Sequence, residues 1–174
     1  MNIELLAPAK NLECGIEAIR HGADAVYIGA PKYGARAAAG NSLDDLRQLA
    51  SFAHQYGARV YVTLNTIIYD EDICLMQKIV DAAKEAGISA VIAADVAVLE
   101  YCNRIGQEVH LSTQLNISNI EALRFYAQFA DVVVLARELN MEQVADIYRQ
   151  IVEENICCPR GELIRIEMFC HGAL

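Results

Sequence analysis

The sequence lacks the marks of several protein classes. Its six cysteines stand at positions 14, 74, 102, 157, 158 and 170 with no Cys-x-x-Cys among them, a scatter that fits reduced cytosolic thiols and not a disulfide framework. Each thiol is read as a small buried hydrophobe, with Cys170 kept open because of its place near the end. No apolar run reaches the roughly 18–20 residues that span a bilayer. The opening MNIELLAPAK carries no basic stretch ahead of an apolar helix, so a soluble, cytoplasmic protein with no membrane partner is expected. Basic residues are scarce, 14 Lys and Arg against 23 Asp and Glu for a net charge of −9. That balance disfavours broad attraction to phosphate backbones, so a nucleic-acid partner would need a local basic patch or another domain.

Apolar residues are abundant. At 174 residues and 55% hydrophobic content, the chain can bury one sizeable core and is too apolar to be disordered. Three stretches share one pattern: HGADAVYIGA from His21, AGISAVIAAD from Ala86 and FADVVVLARE from Phe129. Each has a short break, an apolar run, and a polar residue at or near its end, as in a buried parallel strand entered from a helix. Strands are expected near Ile3–Ala7, Ala25–Gly29, Arg59–Asn65, Ala90–Ala93, Glu108–Ser112, Val132–Ala136 and Leu163–Phe169. Helices lie between them, among them 96–104, 119–128 and 141–154. Asn11 can cap the first helix, Ser42 with Asp45 opens the second, and Gly22, Gly57 and Gly87 sit where helices should end left-handed.

Strict alternation of strand and helix implies parallel pairing. Seven βα units are one short of eight, and a (β/α)₈ barrel typically needs about 250 residues. The expected fold is therefore α/β and TIM-barrel-like, cut before completion. A doubly wound sheet is the alternative, but no Gly-x-Gly-x-x-Gly follows the first strand.

In such folds the functional face lies at the carboxyl ends of the strands. The residues there are polar as a set: Tyr33 and Arg36 in the loop after the second strand, Asn65 after the third, Asp95 after the fourth, Ser112, Gln114 and Asn116 after the fifth, Arg137 and Glu138 after the sixth, and His171 after the seventh. Plainer roles compete. Asp95 and Ser118 could be helix caps, Arg137 and Glu138 an exposed ion pair, and Asn65 a turn residue. Taken together, the set could orient a small anion. Arg36 and Arg137 are candidate carboxylate or phosphate anchors through their planar forks, and Asp95 and Glu138 are candidate general bases. Glu167 shares a strand face with Phe169 and points into the barrel or is paired. There is no His-Glu-x-x-His and no Gly-x-Ser-x-Gly. The four histidines, His21, His54, His110 and His171, stand far apart, with the first two near helix ends on expected surfaces.

Five motifs in order, ELLAPA, GADAVYIGAPKYGAR, VHLSTQLNISN, VVLARELNMEQV and IEMFCHGAL, resemble the collagenase-like peptidase family U32, most nearly its tRNA-hydroxylation members. The resemblance runs from Glu4 to Leu174. It implies an amino-terminal barrel-like domain followed by a cysteine-containing region, with the family's signature cysteine expected just after the last residue here. It implies oxygen-independent hydroxylation of an RNA base, the tRNA wobble uridine first, with a ribosomal RNA cytidine or a ubiquinone precursor as the other family substrates, a prephenate-like carboxylate donor and an iron–sulfur cluster in the intact parent; other members carry a peptidase or collagenase label. The matching positions are Tyr27, Tyr33, Arg36, Asn65, Asp95, Ser112, Gln114, Asn116, Arg137, Glu138, Glu167 and His171. Of these, Asp95, Glu138 and His171 are the catalytic candidates and the others substrate-binding candidates. No cluster is expected on this chain, which alone is expected to be inactive. A non-catalytic scaffold that self-associates through open sheet edges is the third reading.

Overall fold

The computed structural model describes residues 3–30 and 41–171. Seven strands alternate with six α-helices in chain order: β1 (Leu6–Ala9), α1 (Leu12–Arg20), β2 (Ala25–Gly29), α2 (Leu43–Gln55), β3 (Arg59–Leu64), α3 (Ile73–Glu85), β4 (Ala90–Ala93), α4 (Val96–Ile105), β5 (Glu108–Leu111), α5 (Ile120–Ala127), β6 (Val132–Val134), α6 (Met141–Glu153) and β7 (Arg165–Glu167). The strands form one sheet in sequence order, every neighbouring pair parallel. This is the TIM-barrel-like arrangement expected, a half-barrel with β1 and β7 at its two edges.

Local chemistry explains the helix boundaries. Asn11 accepts from the Cys14 amide at 3.0 Å to open α1. Ser42 and Asp45 close a reciprocal capping box at the start of α2, and Asn140 with Gln143 does the same for α6. The fifth helix takes its cap from Asn119, not Ser118, because Asn119 is the residue whose oxygen reaches the Ala122 amide, at 2.9 Å. Gly22, Gly57 and Gly87 all have positive φ, +97°, +67° and +82°, the left-handed exit that a Cβ would strain.

The strands differ from expectation at their ends. β1 begins three residues late and takes in Pro8, which an edge strand tolerates because one row of its amides has no partner to meet. β6 and β7 pair over only three residues each, so Leu163, Met168 and Phe169 fall outside the ladder.

Alternation along each strand divides the buried side chains into two layers. Val26, Ile28, Val60, Val62, Leu64, Val91, Val109, Leu111 and Val133 face the helices and join Leu46, Leu49, Met76, Val80, Leu99, Leu123 and Ile151 in the main core. The opposite face holds a much smaller apolar cluster, Ala25, Tyr61, Ala90 and Ile92, with Leu6 and Tyr27 against it. Val132 and Val134 on β6 are also apolar on this face, in register with Arg165 and Glu167, and the inward residues of β3, β5 and β7 are largely polar.

Candidate functional site

Three of the strands carry polar residues at every second position on the concave face: Arg59, Tyr61 and Thr63 on β3, Glu108 and His110 on β5 followed by Ser112, and Arg165 and Glu167 on β7. They build a line of charge through the lumen. At the amino-terminal end, Arg59 Nη1 lies 3.2 Å from Glu4 Oε2 and Nη2 donates to both Glu108 oxygens at 2.9 Å. Arg165 Nη2 donates to Glu108 Oε1 at 2.5 Å. Arg160 Nε sits 3.3 Å from Asp131 Oδ1. Tyr61 Oη donates to Glu4 Oε1 at 2.6 Å.

His110 continues the line inward. Its side chain is 2% exposed, with Nε2 3.1 Å from Glu108 Oε1 and Nδ1 3.7 Å from Glu167 Oε2. The second distance is an ion contact and too long for a hydrogen bond, and Nδ1 has no hydrogen-bond partner. The Tyr61 ring packs on the imidazole, centroids 4.4 Å apart.

The electrostatics follow from this packing. Burial opposes ionisation of Glu108, but His110, Arg165 and Arg59 outweigh it and hold the carboxyl well below its ordinary range. Burial likewise disfavours the imidazolium of His110, and Glu108 and Glu167 overcome it, raising the pKa above 6.5. Burial first, then the hydrogen bond to Glu4, pushes the Tyr61 phenol up, so it remains a donor. The two carboxylates on either side of His110 thus favour its protonated form.

The predicted residues fall in different places. Asn65 and Ser112 meet, Asn65 Nδ2 donating to Ser112 Oγ at 3.3 Å, and the same oxygen accepts from the Gln114 amide at 3.3 Å. Gln114 and Asn116 are exposed, and Asn116 has φ +50°. Asp95 uses both oxygens on backbone, Oδ1 accepting from Ala97 N at 2.9 Å and Oδ2 from Ile68 N at 3.1 Å. It is the cap of α4 and a tie for the loop after β3. Arg137 lies over the Phe169 ring at 4.3 Å instead of pairing with Glu138; both are exposed, as is His171. Tyr27 is half-buried against the small inner cluster. Glu167 points into the lumen beside His110, while Phe169 lies past the end of the strand and does not share its alternation. Tyr33 and Arg36 lie outside the described residues.

Sequence reasoning passed over Arg59, Tyr61, Glu108, His110 and Arg165. The signal was present: RVYVT and EVHLS alternate polar with apolar residues, although a parallel strand covered on both faces should be nearly all apolar.

Among the described residues, no group of three or more His, Cys, Asp or Glu side chains could hold a metal. The cysteines do not gather either. Cys14 and Cys74 are exposed, against the expectation of burial, as is Cys170, for which the sequence leaves the question open, while Cys102 and Cys158 are buried and Cys157 lies between. The described residues therefore do not fit an iron–sulfur cluster. No helix among them is long and apolar enough to cross a membrane.

These features define a parallel α/β half-barrel of the TIM type with a charged lumen. The chain belongs to peptidase family U32, whose model matches residues 10–174. It is 55% identical to a collagenase-named protein of Porphyromonas gingivalis over 99% of this chain and 42% of that protein. It is 42% identical to the 23S rRNA 5-hydroxycytidine synthase of Escherichia coli over 99% of this chain and 25% of that protein. It is 37% identical to tRNA hydroxylation protein P1 of Bacillus subtilis over 98% of this chain and 39% of that protein. The chain thus spans less than half the length of these curated relatives. The solved structure of the U32 peptidase Mk0906 superposes with a TM-score of 0.73 over 96% of this chain and 67% of that one, at 13% identity, a likeness of fold alone.

Proposed function

We propose that this half-barrel is the base-binding part of an enzyme that hydroxylates a pyrimidine of RNA without molecular oxygen, using a small carboxylate donor of the prephenate type. The observation that carries the reading is the composition of the lumen. His110 lies among two carboxylates and a tyrosine, a setting for orienting a polar ligand and moving a proton. The hydroxylase relatives, similar along nearly all of this chain, support it.

The collagenase-named relative favours a second reading, a peptidase. Acyl transfer by a side chain needs a nucleophile beside a base. Ser112 is the buried hydroxyl nearest the lumen's carboxyl end, and its oxygen meets the Asn65 amide and the Gln114 backbone instead of a base. The lumen chemistry therefore favours the hydroxylase.

On this proposal an iron–sulfur cluster in the parent takes its ligands from outside the described residues. The donor's carboxylates have one described candidate, Arg137, whose exposed guanidinium lies at the carboxyl rim. The test is mass spectrometry of RNA nucleosides from cells lacking the parent gene, with and without the gene restored. A hydroxylated pyrimidine that disappears and returns supports the reading. Unchanged RNA, with gelatin cleaved by purified parent protein, overturns it in favour of the peptidase.

A further inference from the structure

Two neighbouring groups in the lumen lack a hydrogen bond and meet each other only in a long ion contact. His110 Nδ1 is buried without a hydrogen-bond partner, a state that native interiors seldom leave unexplained. Its other nitrogen is already committed to Glu108 Oε1, so Nδ1 is the one left to meet a ligand. Glu167, 3.7 Å away, is the second. Its side chain is 25% exposed, and among the described residues nothing donates a hydrogen bond to it.

The charges nearby limit what could enter. Four acids, Glu4, Glu108, Asp131 and Glu167, stand among Arg59, Arg160, Arg165 and His110, and each arginine already contacts a carboxylate. A carboxylate or phosphate brought between His110 and Glu167 would meet Glu167 with no free guanidinium to offset it. A cation would face the imidazolium. A neutral group fits, provided it offers an acceptor to Nδ1–H and, beside it, a donor to the carboxylate.

We infer that His110 and Glu167 form a ligand site for the edge of a neutral planar amide or imide, its oxygen accepting from His110 Nδ1–H while the adjacent N–H donates to Glu167. The position suits entry from the carboxyl face. Glu167 is the last residue of β7, the 3.7 Å ion contact with Nδ1 is its side chain's one described tie, and that side chain is 25% exposed, so the edge enters by displacing that single contact. Tyr61, packed against the imidazole at a 59° tilt, keeps the ring from turning as the edge enters. The identity of the ligand rests on the hydroxylase reading, since a pyrimidine base carries such an edge; the site itself does not.

The test is nuclear magnetic resonance of the ¹⁵N-labelled His110 imidazole in this chain, titrated separately with uridine, N3-methyluridine, glutarimide and malonate. Uridine and glutarimide are expected to shift the Nδ1 resonance. N3-methyluridine, whose donor is blocked, should bind about tenfold more weakly or worse, as should uridine with Glu167→Gln, each having lost a hydrogen bond to a charged group. A response to glutarimide without one to uridine keeps the site and removes the nucleobase as its ligand. No response to either, or an equal response to malonate, overturns the site and leaves Nδ1 to a bound water.

Discussion

Arg59 on β3 reaches across β4 to hold both carboxylate oxygens of Glu108 on β5 at 2.9 Å. The intervening strand permits this because its inward residue at that level is Ala90, which registers with Tyr61 on one side and Glu108 on the other. A small side chain in the middle strand thus lets two charged residues meet over it.

That arrangement predicts two losses of stability. Glu108→Gln removes the carboxylate that Arg59, Arg165 and His110 share, leaving Arg59 only Glu4 and His110 only the longer contact with Glu167, and should cost about 3 kcal/mol. Ala90→Leu fills the space the pair uses and should cost about 1–3 kcal/mol by overpacking. Urea denaturation of both variants beside the parent sequence measures each cost.

The pair also sets a dependence on pH. His110 faces Glu108, Glu167 and Tyr61, with Arg59 and Arg165 behind Glu108. Its pKa is raised by folding from 6.5, so its stabilising contribution is complete below about 6.5 and is lost as pH rises through the folded value. Glu108 is lowered from 4.5, so its contribution is complete above about 4.5 and is lost as pH falls. The combined contribution should be greatest between those two values. Denaturation of the parent sequence and of His110→Gln across pH 4–9 should show the difference between them shrinking at both ends.

Asp95 separates a cap from a base. Its oxygens serve two backbone amides, and Asn caps a helix about as well as Asp. Asp95→Asn should therefore keep stability within about 0.5 kcal/mol, while Asp95→Ala should lose about 1–2 kcal/mol. Thermal unfolding reports both. Loss of the proposed RNA hydroxylation in cells carrying Asp95→Asn, at unchanged stability, would return this carboxylate to a chemical role.

The thiols should divide by exposure. Burial pushes Cys102 up to about 12, whereas Cys14, Cys74 and Cys170 are exposed. A disulfide reagent at pH 8 should modify those three quickly in the folded protein and reach Cys102 only after denaturation.

The outer layer of this fold was legible in the sequence, and the inner one was not. Helix-facing residues such as Val62, Val91 and Val109 belong to short apolar runs between capped helices, and caps such as Asn11 and Ser42 act over three residues, so local pattern suffices to place them. The lumen depends on which strands become neighbours. Arg59 and Glu108 are 49 positions apart, and nothing near either one announces the other. Reading only strand ends found Asn65, Ser112 and Glu167 but passed over His110, which lies one residue inside the end of β5. Asp95 illustrates the reverse case: a polar residue at the right end of a strand whose oxygens are already occupied by backbone.

The most direct measurement of the central claim, that the lumen line of Glu108, His110 and Glu167 serves base hydroxylation, is the hydroxylated-pyrimidine content of RNA from cells whose parent gene carries His110→Gln, with the protein's abundance followed alongside. The account predicts a fall of about tenfold or more at unchanged abundance, as expected for loss of a charged hydrogen bond to the reacting base. Full hydroxylation at normal abundance would contradict it.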